Sequence, residues 1–215
     1  MTSQYVGHPA GNIMRHNTGH REMRGAMSRA RGFSIVELMV VMVVLAVLLG
    51  VGAPAFLETV RNNRMLTEVY SLRASLANAR SEALARRMTV TVCESTDSTS
   101  CAADPNAWSD GYLAFADADG DGVADPNEIL LTRVVTAPDM TISFTAGPGT
   151  TGGPGFSPRG DSLNASGTFT FCDPRGATRA AALILRNPGD ARAAEDEDKP
   201  EDNIVNDLEG NNVSC

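Results

Sequence analysis

A chain of 215 residues, 42% hydrophobic and with a formal net charge of −8, has room for one ordinary globular domain plus an accessory segment, which excludes two large independent cores. Its three histidines, His8, His16 and His20, all lie near the start, so everything beyond residue 20 lacks the imidazole needed for Ser-His-Asp, Cys-His or His-ligated metal chemistry. No nucleophile–base pair or cofactor motif points to an enzyme.

The first 32 residues carry Arg15, Arg21, Arg24, Arg29 and Arg31 against one acid, Glu22. From Phe33 to Leu57 the chain is nearly continuous apolar sequence whose one acid is Glu37. That run matches the roughly 20 residues a helix needs to cross hydrocarbon. The arginines ahead of it keep the N-terminus cytoplasmic and send the rest outward. A secretory signal places its small residues after the apolar core, whereas Gly32 stands before it. An acid at the depth of Glu37 costs about 2.5 to 3.5 kcal/mol unless it is partnered, so its presence needs a reason.

The segment Arg31-Gly32-Phe33-Ser34-Ile35-Val36-Glu37-Leu38 resembles the class III leader of type IV pilins and type II secretion pseudopilins. The resemblance implies that prepilin peptidase cuts between Gly32 and Phe33 and methylates the new N-terminus. It also implies that Glu37 pairs with the amine of Phe33 on a neighbouring subunit. Pro54 stands where such helices commonly carry a proline. Either Met23 or Met27 would start a shorter leader of the familiar kind. Removing residues 1–32 takes five of 18 basic and one of 26 acidic residues, leaving 13 and 25, a formal net charge of −12. The implied partners are major and minor pilins or pseudopilins, prepilin peptidase and the inner membrane. The implied location is a single inner-membrane span with the head in the periplasm, then a pilus or pseudopilus.

After Pro54, Leu66, Val69, Leu72, Leu76, Ala79 and Ala83 recur at three- and four-residue spacing among arginines, which predicts one buried helical stripe. The predicted helix runs from Phe33 to about Arg87, roughly 80 Å, with a bend allowed at Pro54. Alternating or β-branched runs predict strands at Thr89–Glu94, Gly111–Ala116, Glu128–Val135, Thr141–Thr145, Gly167–Cys172 and Ala181–Arg186, with a flexible loop at 150–155. The expected fold class is α+β, a long N-terminal helix packed on an antiparallel sheet. The divisions are leader 1–32, helix 33–87 with 33–57 in membrane or filament core, head 88–188 and acidic tail 189–215.

Trp108-Ser109-Asp110-Gly111-Tyr112, Phe156-Ser157-Pro158-Arg159-Gly160 and Gly167-Thr168-Phe169-Thr170-Phe171-Cys172 resemble the head of the GspH/FimT (FimU) family, and the likeness spans 27 to about 192. The resemblance implies a structural minor pilin that helps initiate or cap a type IV pilus, or alternatively a type II secretion minor pseudopilin. Caps at the outermost pseudopilus tip sometimes lack the acid at Glu37; its presence permits stacking beneath another subunit.

Cys93, Cys101, Cys172 and Cys215 all follow the apolar run, an even set that implies an oxidising compartment. Three pairings exist; nearness favours Cys93 with Cys101, leaving Cys172 for Cys215, against a disordered tail with a free or intermolecularly bonded Cys215. Residues 117–128 satisfy the twelve-position calcium-loop pattern, with Asp117, Asp119, Asp121 and Glu128 offering carboxylates, Val123 a carbonyl and Asp125 a direct or water-bridged contact. The flanks are strand-like rather than helical, and an Asp-Gly turn without metal explains the same residues. Calcium is therefore the one cofactor candidate, and none is required.

FimT-like pilins associated with DNA uptake carry Gly-Arg-x-Arg near the C-terminus. The matching stretch is Gly189-Asp190-Ala191-Arg192, followed by Glu195, Asp196, Glu197 and Asp198, so phosphate meets repulsion there. Arg159, Arg175, Arg179, Arg186 and Arg192 remain the candidates for a cluster, and nucleic acid is a disfavoured partner.

Overall fold

The computed structural model describes residues 32–103, 107–137, 139–150, 153–162 and 164–215, so the leader up to residue 31 lies outside the described residues. Helix α1 runs Ile35–Arg86 and is helical through Pro54. Its start is set by Ser34, whose hydroxyl accepts the Val36 N–H at 3.3 Å while its carbonyl accepts the Leu38 N–H at 3.0 Å. Its end is a left-handed turn at Arg87 (φ 55), closed by the Met88 N–H on the Ala83 carbonyl.

The chain divides into two compact units, residues 1–48 and 49–215. In the first, every described residue is exposed, Phe33 at 79%. An 18-residue window of α1 reaches a mean hydropathy of 2.8 with none of it buried, long and apolar enough to cross a membrane. The second unit joins the rest of α1 to eight strands: β1 Thr89–Glu94, β2 Gly111–Asp117, β3 Ile129–Val134, β4 Thr141–Ala146, β5 Gly155–Phe156, β6 Gly167–Cys172, β7 Ala181–Leu185 and β8 Ala191–Ala193. All pair antiparallel, but in two four-stranded sheets, ordered β3-β2-β1-β5 and β4-β6-β7-β8, rather than in the one sheet expected. β5 and β8 have no counterpart among the predicted strands, because two or three residues carry no periodicity of their own.

One apolar core joins the helix to both sheets. Met65, Val69, Leu72, Leu76, Ala79 and Ala83 pack with Val90, Val92, Tyr112 and Ala114 of one sheet and Ile142, Phe169, Phe171, Leu183 and Leu185 of the other. The predicted stripe is corrected at its first member: Met65 is buried at 6%, and Leu66 is 47% exposed. Alternating steps of four and three from residue 65 hold the 3.6-residue period through Ala83, whereas residue 66 lies about 100° around the helix. Trp108 stands edge-on to Phe169 at 5.0 Å, and Phe144 lies 4.7 Å from Phe169, closing the core beside β4.

Polar pairs fix the helix on the first sheet. The nearly buried Glu68 accepts from Arg133 Nη2 at 3.1 Å, and the Ser75 hydroxyl lies 3.1 Å from the Tyr112 hydroxyl. Burial pushes the Tyr112 phenol up. β2 is buried on both faces: Leu113 and Phe115 form a second small core with Ala124, against half-buried Cys93, Cys101 and Ile129. The acidic 117–128 segment therefore has an apolar foot.

Candidate functional site

Three regions carry the predicted site residues. At the N-terminal end, Gly32 and Phe33 precede α1, and Glu37 lies exposed in its first turn, where the helix dipole favours an acid.

The second region is the connection from β2 to β3. Pairing of those strands sets its two ends side by side, with the Ala116 N–H on the Glu128 carbonyl at 3.0 Å. Carboxylate oxygens of Asp117, Asp119 and Glu128 lie within 4.8 Å of one another, a group that could hold a metal ion. Gly120 (φ 79) and Gly122 (φ 76) take left-handed turns that L side chains resist. Asp117 accepts N–H groups from Gly120 at 2.7 Å and Gly122 at 3.2 Å, and Glu128 Oε1 accepts from Ala118 at 2.7 Å. Glu128 Oε2 is shielded from solvent and has no hydrogen-bond partner among the described residues. Asp121 Oδ1 accepts the Val123 N–H at 2.7 Å, and neither Asp121 nor Asp125 belongs to that three-carboxylate group. A second group, Asp196, Asp198 and Asp202, was missed in the sequence, where its only signal is the acid run from Glu195.

The third region holds the cysteines and the arginine candidates. Cys93 is bonded to Cys101, and Cys172 to Cys215. Within the smaller ring the backbone N–H groups of Thr99 and Ser100 hold the Asp97 carboxyl well below the usual carboxylate range. Four of the five arginines named above are met by acids: Arg159 by Asp161 at 3.3 Å, Arg175 by Asp173 at 2.6 Å, Arg186 by Asp190, and Arg192 by Glu197 at 3.4 Å. The residue that departs from Gly-Arg-x-Arg, Asp190, is thus the one that neutralises Arg186. At Gly189 a Cβ would come within 2.0 Å of the Gly160 carbonyl oxygen, and φ is 82, so the glycine serves the turn itself.

The Asp173–Arg175 pair is nearly buried, its side chains 8% and 10% exposed, and Arg175 Nη1 also reaches Asn62 of α1 at 2.6 Å. The guanidinium of Arg175 is the main cause holding the Asp173 carboxyl below its ordinary value. A depressed carboxylate contributes stability above its unfolded pKa, near 4, and loses it as pH falls through the lower folded value. Asp173→Asn should therefore cost about 2 kcal/mol at pH 7. In thermal melts the gap from the parent should close on acidification below about pH 3. A gap that stays constant with pH would remove the pair as its source.

The family model described as type II transport protein GspH matches residues 68–189, and that of the prokaryotic N-terminal methylation motif matches residues 27–53. No curated protein matches the chain. Among solved structures, the Pseudomonas aeruginosa type IV minor pilin FimU is 18% identical, covering 63% of this chain and 91% of its own, with a TM-score of 0.46. A second crystal form of FimU gives 16%, 60%, 92% and 0.44. The minor pseudopilin EpsH of the Vibrio cholerae type 2 secretion system gives 10%, 63%, 99% and 0.41.

Proposed function

This chain belongs to the GspH family, pilin-like structural proteins without enzymatic activity, and on that premise we propose that it is a minor pilin that helps initiate or cap a type IV pilus. The observation that carries the reading is the order Gly32, Phe33, Glu37 at the head of one apolar helix, inside the matched methylation motif. Prepilin peptidase cuts after Gly32, and the mature chain waits in the inner membrane with its head in the periplasm. It leaves when Glu37 meets the Phe33 amine of a neighbouring pilin. The description of the matched family favours a second reading, a minor pseudopilin of type II secretion, with the same assembly chemistry. Deletion separates the two: loss of pili with normal secretion supports the first, and the reverse supports the second. A DNA-binding role is disfavoured, since four of the five candidate arginines are held by acids.

Mass spectrometry of the N-terminus tests the shared premise. In cells with active prepilin peptidase the chain should begin at methylated Phe33, and without it the leader should remain. A leader retained in both strains leaves a plain membrane-anchored domain instead.

The β2–β3 connection is proposed to bind calcium. Asp117, Asp119 and Glu128 supply carboxylates, Asp121, Val123 and Asp125 turn in to complete the shell, and the unpartnered Glu128 Oε2 gains its missing contact. Saturation at a hundred times the dissociation constant should stabilise the head by about 2.7 kcal/mol. Calorimetric titration should show one site that Asp117→Asn abolishes; absence of calcium uptake by the parent protein would dismiss it.

A further inference from the structure

We infer that a groove between α1 and the outer edge of β8 receives an extended acidic segment of a different pilin subunit, added as a strand beside β8. Antiparallel register pairs Arg192 with Ile184, while the Arg186 N–H reaches Asp190 and the Ala194 N–H reaches Ala182. Hydrogen bonding to β7 therefore falls on residues 190, 192 and 194, and the backbone groups of Ala191 and Ala193 point the other way. Neither has a hydrogen-bond partner among the described residues. Such an edge is a template for another strand.

The groove holds about 420 Å³; its lining includes Arg73, Ala77, Arg80 and Leu84 of α1 and Asp190 and Ala191, with the Asp190 carboxylate taken up by Arg186. Its walls are fixed, because Arg80 Nε and Nη2 donate to the carbonyls of Gly160 and Pro188 at 2.8 and 2.9 Å, tying the Gly189 turn to the helix. Arg73 is exposed and has no acid partner among the described residues.

Charge selects the occupant. Residues 58–87 carry six arginines against three glutamates, while residues 88–215 carry seven basic residues against 21 acidic ones. From that basic stretch the groove takes Arg73 and Arg80 and no acid, so its helical wall suits a segment bearing Asp or Glu opposite Arg73. The occupant is a different subunit because this inference rests on the reading of the chain as a subunit placed singly at a filament end.

The test uses the full chain in assembling cells, with the photocrosslinking residue p-benzoylphenylalanine in place of Ala77. In sheared filaments, irradiation should join it to an acidic extended segment of another pilin, mapped by mass spectrometry. Ala193→Pro removes an outward N–H without touching the β7 ladder, and Arg73→Glu reverses the charge on the helix alone. Each should lower the crosslink yield roughly tenfold, with thermal midpoints near the parent's. Absence of a crosslink from filaments containing the protein overturns the inference and leaves the pilin reading standing. So does a crosslink unchanged in both variants, or one to a second copy of this chain. Absence of the protein from filaments overturns the pilin reading and the inference with it.

Discussion

Glu37→Leu should leave cleavage after Gly32 intact and lower incorporation into filaments by at least a hundredfold. Leucine suits the apolar run better than glutamate does, so the variant should insert and be processed normally. What it loses is the one group in the run proposed to meet a neighbour's amine. Breaking a buried charge pair by removing one partner costs about 3 to 5 kcal/mol, equivalent to a population change of at least a hundredfold. Immunoblots of sheared filaments and of inner membrane, with the N-terminal mass checked in each, read the effect. The exposure of Glu37 in the first turn of α1 fits a group whose partner comes from another chain. Parent-like incorporation of the variant would mean that the acid serves only helix capping.

The second large effect is expected from the Cys172→Ser, Cys215→Ser double variant. That bond closes a separation of 43 residues, for which chain entropy gives about 4 kcal/mol. The Cys93–Cys101 bond closes only eight, worth about 2.5 kcal/mol. The larger loop also holds specific contacts in place. Val213 is buried at 7%, the Leu208 N–H reaches Thr168 of β6 at 2.9 Å, and Asn206 bridges Asn212 while 2% exposed. The thermal midpoint should fall by roughly 12 °C at about 3 °C per kcal/mol for a domain of this size. The Cys93→Ser, Cys101→Ser pair should cost roughly three-fifths as much in melts followed by circular dichroism. Equal losses would mean that closing the 173–214 loop gains no more than closing the short one.

Those contacts mark where the reading of the tail from composition fell short. Few large apolar groups between 189 and 215 predict loop, and much of it is irregular. Yet Ala191–Ala193 form a strand, and Val213 is buried at 7%. A three-residue strand exists because β7 offers it an edge, which no local pattern records. The arginines teach the same lesson: their number is legible in the chain, but Asp161, Asp173, Asp190 and Glu197 quench them one by one only through turns folded locally around each.

Features written in short-range order are legible in the chain before it folds. These are the leader-like junction at Gly32 and Phe33, the apolar run with its single acid, the helical period from Val69 to Ala83, and six strands placed within a residue or two. Each depends on neighbours no more than a few positions apart, so periodicity and turn chemistry carry them. Tertiary structure alone decided the division into two sheets, the burial of Met65 in place of Leu66, the edge strands β5 and β8, and which carboxylates of the 117–128 loop stand together. These depend on pairings between residues distant in the chain, where the partner's surface rather than local propensity sets the outcome.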